Sequence, residues 1–319
     1  MDESPLTLDC AGEFAVGDDA GLRAWLGEHF EKQKAWVPAI CGFHPQDHLI
    51  HRESIQPRKL SEPGYLTELV GNRYRNDDNV PWKLHTLNPL EGVPLPSEGT
   101  QRPALICGVS HAAVHAIQQR LLDLRLLPYR LELGTLPVLG TIMEHKARQN
   151  DKRAVVVVNI EPDRTTAFIL GKEGVHTPAP VRNGFNSIVQ AARKELHLTE
   201  ADDVHARLRE ADEEVMLRAS KFVRELGRDL KPLVDSYEMT TGQPVGEIHC
   251  TYLPPSLAWI AEPLAQVVGR TRFTMDCQAW LATANLQVAD DLPAFGLHWL
   301  GALSLVTNQT PQKSNAGRA

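Results

Sequence analysis

His111 and His115 stand four residues apart in HAAVHAIQQRLLDLRLL, a spacing that presents two imidazoles from one helical face to a shared metal ion. No glutamate lies between them and no third ligand accompanies them, so His111 reads as the cap of a helix that follows a strand. A second cluster, His44, His48 and His51 around Asp47, would suit a weakly held metal or a proton-sensitive site. On a loop and a strand, these residues read more simply as exposed histidines. Ser110 precedes His111, but nothing like G-x-S-x-G surrounds it, which removes the hydrolase elbow. GVSHAAVHAI equally lacks the glycines and lysine of a P-loop. The five cysteines, Cys10, Cys41, Cys107, Cys250 and Cys277, form no C-x-x-C pair and read as buried, reduced thiols. Neither a metal site nor a catalytic residue is assigned on this basis.

The elements around these residues alternate between strand and helix. Leu22, Trp25, Leu26 and Phe30 recur at helical spacing in Gly21 to Gln33, ahead of the strand-like VPAICGF. LIHRESIQ is a strand, Ser61-Glu62-Pro63 starts a helix over PGYLTELVGNRY, and WKLHTLNPL is another strand. A Pro- and Gly-bearing loop, 91–102, leads to the strand PALICGVS, and the following amphipathic helix is expected to stop at Pro128. YRLELG and LPVLGTIMEHKA give a short strand and a helix before the charged joint QNDKR.

Beyond that joint, Val155 to Val158 form the apolar run of a strand buried on both faces, and a polar turn leads into the strand beginning at Thr165. Asn183 is placed to cap a helix running to about Leu196. A single long helix is expected from Glu213 to Glu238, with Val215, Ala219, Phe222, Leu226, Leu230, Leu233, Val234 and Tyr237 on its buried face. GEIHCTYL, SLAWIAEPLAQVVG, RTRFTM and 294–305 supply a strand, a helix, a strand and a final helix.

With 319 residues, 42% hydrophobic and 23% charged, the chain can bury two cores. A net charge of −7, with basic side chains interspersed among acidic ones, argues against nucleic acid as a partner. No long apolar run and no signal-like amino terminus is encoded, so the expected address is the cytoplasm without membrane insertion.

The order of elements after Arg153 resembles the actin-like fold of the PilM family of type IV pilus assembly and of the related L component of type II secretion. The resemblance implies an α/β, actin-like (ribonuclease H-like) two-lobe fold with a small α/β subdomain inserted in the first lobe. The lobes are expected at 1–150, with the insertion at about 45–128, and at 151–307, followed by a frayed tail at 308–319.

In actin-like ATPases the hairpin turn reads Asp-Ile-Gly and, further on, Thr; here Asn159, Ile160, Glu161 and Thr165 stand in register. An amide replaces the carboxylate that holds the Mg²⁺ water shell, and Glu161 puts a side chain and a negative charge where phosphate would lie. Pro254 and Pro255 occupy the paired glycines of the adenosine loop, adding rings and removing N–H donors, although a proline is also an ordinary helix start. The first phosphate turn has only a faint counterpart, Leu8 to Gly12, with no room for its hairpin before the opening helix.

These departures imply a non-catalytic scaffold without a cofactor. By resemblance, its partners are the cytoplasmic amino-terminal peptide of a PilN-like single-span protein and, further, a motor ATPase; its place is the cytoplasmic side of the inner membrane. Arg52, Tyr65, Leu69, Tyr74 and Trp82 in the insertion are the candidate partner-binding residues. The alternative is an ATP- and Mg²⁺-binding enzyme of the same fold using Glu161 or Asp163; a third reading is an unrelated two-domain α/β enzyme.

Overall fold

The computed structural model describes residues 6–30, 36–74 and 81–307. Contacts divide the chain into two compact units, one from Asp47–His111 with Ile142–Met275, the other from 1–46, 112–141 and 276–319. This grouping does not follow a linear division near residue 150: the insertion packs with the sheet of the later half, and the last helix joins the opening segments.

The larger unit is built on β7 (Ala154–Ile160), all seven residues of which are buried. It pairs antiparallel with β8 (Thr165–Gly171), which continues to β9 (Gly174–His176), and parallel with β10 (Val245–Thr251), followed by the two-residue β11 (Thr271–Arg272). The order β11-β10-β7-β8-β9, three antiparallel strands continued on the β7 side by two parallel ones, is the ribonuclease H-like sheet. Four valines suit β7 because both faces are covered. On one face Val156, Val158, Ile160, Ala167 and Ile169 pack against α5 (Phe185–Glu195), α6 (Ala201–Glu210), α7 (Glu213–Phe222), α8 (Arg224–Thr241) and α9 (Ala261–Val268). On the other face His249 meets the edge of Phe273, which in turn meets His145 from the end of α4 (Thr135–Arg148).

The apolar stripe lies where its spacing demands: Val215, Ala219, Phe222, Leu226, Leu230, Val234 and Tyr237 are buried, with Leu233 partly so. It spans two helices rather than one, because the backbone departs from helical geometry at Val223 (φ −94°, ψ 1°), itself fully buried. Asn183 does not cap α5. Gly184 holds that place, and the Asn183 amide instead donates to Asp229 Oδ2 at 2.6 Å. Helix α6 escaped the periodicity because Val204 and Leu208 are the only buried anchors among its described side chains, in a charged run.

Within the same unit the insertion forms a three-stranded antiparallel sheet, β3 (His48–Ile55), β5 (Arg102–Ser110) and β4 (Trp82–Leu87), in the order β3-β5-β4. Helix α2 (Tyr65–Tyr74) covers one face through Val70 and Leu69, against Ile55, Ala104 and Ile106.

In the other unit β2 (Val37–Phe43) pairs parallel with β6 (Leu126–Leu133), and β1 (Leu6–Leu8) pairs parallel with β12 (Leu286–Val288). Helices α1 (Asp19–Phe30), α3 (His111–Asp123), α10 (Cys277–Thr283) and α11 (Leu300–Thr307) accompany them. Pro128 does not end α3. That helix closes at Asp123, Arg125 reverses the chain in the left-handed region (φ 59°), and Pro128 lies in β6 opposite Ala39. Proline is tolerated there because, among the described residues, this sheet has two strands, so each strand is an edge.

Candidate functional site

The C-terminal ends of parallel β7 and β10 lie side by side, the place where open α/β sheets present ligands. Asn159 and Thr251 are in register there, and the Thr251 hydroxyl donates to Asn159 Oδ1 and, at 3.3 Å, to the Val158 carbonyl. Asn159 is 1% exposed. Its carboxamide oxygen is therefore engaged within the sheet instead of standing ready for a hydrated cation.

The turn that follows is closed on itself. Glu161 N–H donates to the Arg164 carbonyl at 3.0 Å, and Arg164 Nε pairs with Glu161 Oε2 at 2.6 Å. The N–H groups of Phe185 and Asn186, at the start of α5, donate to the carbonyls of Glu161 and Pro162, both at 2.8 Å. A helix start offers free N–H groups and a positive dipole end to anions; here these two donors are consumed by the turn itself. The Asn186 amide also binds Asp163 Oδ1 at 2.8 Å, so each carboxylate of the turn has a partner.

Gly184 makes this docking possible. A Cβ there would overlap the Glu161 carbonyl and lie 2.6 Å from Arg164 N and Pro162 O, so the position requires a residue without a side chain. Sequence reasoning passed over Gly184, Asn186 and Asp229. The glycine ahead of an apolar helix start was the available signal.

Thr165 belongs to a different environment from Asn159. It pairs with Ile160 and so shares the face packed by the helices; it is fully buried, its backbone forms both hydrogen bonds with Val181, and its hydroxyl has no partner among the described residues. The structure thus puts Asn159 and Thr165 on opposite faces of the hairpin. Pro254 and Pro255 are exposed and start a 3-10 turn, Pro255–Ile260, whose Leu257 N–H returns to the Pro254 carbonyl at 2.8 Å. Just before them Tyr252 adopts φ 63°, a conformation that glycine would take without cost.

The candidate partner-binding residues are not gathered on one surface. Arg52 lies on the β3 face opposite Ile55; its N–H donates to Thr177 Oγ1 at 2.7 Å, and its guanidinium reaches the Val175 carbonyl and Glu173. Burial pulls its pKa below the ordinary guanidinium value, with Glu173 opposing. Leu69 packs into the insertion's own core. Tyr65 accepts from Gln56 N–H at 3.3 Å through its hydroxyl, with Lys59 Nζ 5.9 Å from its ring centroid. Trp82 borders Gly108, where a Cβ would sit 3.2 Å from its ring. The side chain of Tyr74 lies outside the described residues.

Among the described residues no group of three His, Cys, Asp or Glu side chains is placed to hold a metal, and no helix is long and apolar enough to cross a membrane. His111 begins α3, its N–H bonded to the Pro81 carbonyl at 2.9 Å.

Sheet order, helix layers and the inserted three-stranded subdomain together define an α/β protein of the actin-like, ribonuclease H-like fold. Among solved structures, the chain is similar to one in the PilM-PilN type IV pilus biogenesis complex, at 15% identity and TM-score 0.63, over 92% of this chain and 86% of that one. Looser likenesses are to the ethanolamine utilization protein EutJ from Carboxydothermus hydrogenoformans (13% identity, TM-score 0.39, 60% of each chain) and to a Bacteroides thetaiotaomicron protein with an actin-like ATPase fold (9%, 0.38, 90% and 80%). No family model and no curated protein matches the sequence.

Proposed function

We propose that the chain is a non-catalytic scaffold of a type IV pilus-like or type II secretion-like assembly machine, acting on the cytoplasmic side of the inner membrane by holding the cytoplasmic peptide of a PilN-like, single-span partner. The observation that carries the first part is the engaged state of Asn159. Its amide is bound by Thr251 inside the sheet, where an ATPase of this fold needs an available carboxylate. The closed turn supports the same reading, because two N–H groups at the start of α5 already serve backbone carbonyls and Glu161 brings negative charge to the same place. These residues do not fit a Mg²⁺-nucleotide, and no step of the proposed role runs through one. The partner rests on the likeness of fold to the PilM-PilN complex.

The test is a titration of the chain with the amino-terminal peptide of the PilN-like partner, with and without Mg-ATP, alongside an assay of phosphate release. Saturable binding that is indifferent to nucleotide, with no turnover, is the expected result. Turnover, or binding that requires ATP, establishes the alternative enzyme using Glu161 or Asp163.

A further inference from the structure

Helix α5 closes in a Schellman turn: His197 N–H returns to the Lys194 carbonyl at 3.4 Å and Leu198 N–H to the Arg193 carbonyl at 3.1 Å, while Leu198 packs against the core. The residue at the reversal has φ 55°, a place that glycine fills without strain, yet it is His197, whose imidazole is exposed. A strained backbone that presents a hydrogen-bonding side chain is a feature of ligand sites.

Gln190, Arg193, Lys194 and His197 recur at helical spacing and, with Leu198, line a shallow, open groove of about 460 Å³. No carboxylate lines it. The one acid of the turn, Glu195, is engaged by α7 instead: Lys221 Nζ pairs with its Oε2 at 2.9 Å, and the Arg218 guanidinium donates to its carbonyl. Arg193 Nε is anchored on the Leu198 carbonyl at 3.4 Å, and among the described residues neither its terminal nitrogens nor the Lys194 ammonium has a partner. The helix dipole accounts for basic side chains in a last turn. It accounts neither for the engagement of Glu195 elsewhere nor for a histidine in the left-handed place. On a chain of net charge −7 the groove is a confined positive site.

An oxyanion suits these groups. Two permanent positive charges match a phosphate, which carries about −1.5 to −2 at neutral pH, better than they match a carboxylate. The planar guanidinium takes two oxygens and the ammonium acts as a point charge. Because the groove is open, it holds the phosphate and leaves outside whatever carries it. We propose that the end of α5 is a phosphate-binding site, in which Arg193 grips two oxygens, Lys194 supplies the second charge, and His197 and Gln190 hydrogen-bond the remainder. A soluble phosphate and a phospholipid headgroup offer the same chemistry, and the test separates them. No part of the scaffold reading draws on this turn.

The full chain is titrated with inorganic phosphate at constant ionic strength, with acetate as the control, and the amide shifts of Lys194, His197 and Leu198 are followed. Flotation with phosphatidylcholine vesicles, with and without phosphatidic acid, runs in parallel. Phosphate should give saturable shifts that acetate does not, and Arg193→Ala should weaken binding about tenfold while leaving the unfolding temperature unchanged, since the side chain is exposed. His197→Gly should unfold at a higher temperature yet bind less tightly, a combination that a purely structural turn would not show. Saturable shifts without flotation assign a soluble phosphate; flotation that needs phosphatidic acid and Arg193 assigns the headgroup. Equal shifts with acetate, the absence of both responses, or unchanged affinity in both variants overturns the site and leaves the scaffold reading standing.

Discussion

Acid should destabilise the larger unit through one side chain, His249. It sits on β10 at 6% exposure, against Phe273 (ring centroids 5.5 Å apart), with His145 also against that ring (5.9 Å) and Arg272 on the neighbouring strand. Burial, assisted by the Arg272 charge, pushes its pKa down from 6.5 to about 4. The native state therefore holds a neutral imidazole where the unfolded chain binds a proton below 6.5. Stability from this source is complete above about pH 6.5, falls as pH drops, and levels off below about pH 4. At pH 5 the equilibrium is shifted toward the unfolded state by a factor of about 30, an expected loss of about 2 kcal/mol relative to pH 7.5. His249→Leu removes the titration while keeping an apolar filling between Val157 and Phe273. Urea unfolding of both proteins at pH 7.5 and pH 5 should show the wild type losing about 2 kcal/mol more than the variant between the two conditions. Equal losses would refute the reasoning, since other titrating groups are common to both.

Other perturbations address the hairpin and its surroundings. Gly184→Ala should lower stability by about 1–3 kcal/mol in thermal or chemical unfolding, because its Cβ meets the main chain of the closed turn. Asn159→Asp should not create a Mg-ATP site; it should destabilise the chain at pH 7, with the penalty shrinking as acid protonates the buried carboxyl, and tight Mg-ATP binding by this variant would count against the account. Lys146 is 7% exposed and bridges Asp151 and Glu247, with the bond to Glu247 at 2.6 Å. Lys146→Met leaves Glu247 beside Asp151 without its cation, while Asp151 keeps Arg153 at 2.9 Å, and should cost about 3 kcal/mol near neutral pH, measured by urea unfolding. The penalty should ease in acid as those carboxylates protonate.

The sheet of the larger unit was legible because its strongest signals are local: four valines in a row, a turn, and a β-rich run beginning at Thr165. Burial of the stripe from Val215 to Tyr237 followed from spacing alone, whereas its division at Val223 did not, since a buried valine continues the apolar pattern across a break in the helix. Short elements were harder to see. β1 and β12 are three residues each, and they exist by pairing with one another across most of the chain, a relation that no local window contains. Pro128 misled for a related reason: proline stops a helix from within, but here the helix had already ended and the edge of a two-stranded sheet accepted the ring.

At the candidate site, residue types were readable and their commitments were not. That Asn159 is an amide is plain from the sequence; that Thr251 binds it, that Arg164 neutralises Glu161 and that Thr165 faces the helix layer are consequences of register and packing. Arg52, Tyr65, Leu69 and Trp82 share the insertion, yet Arg52 faces away from α2 while Leu69 is spent on the core beneath it.

Thermal unfolding of the full chain with millimolar Mg-ATP tests most directly whether this hairpin has lost its nucleotide. A chain whose Asn159, Glu161 and α5 donors are engaged as described should unfold at the same temperature with and without it. Stabilisation approaching about 2.7 kcal/mol, the amount expected from a ligand at a hundred times its dissociation constant, would contradict the account.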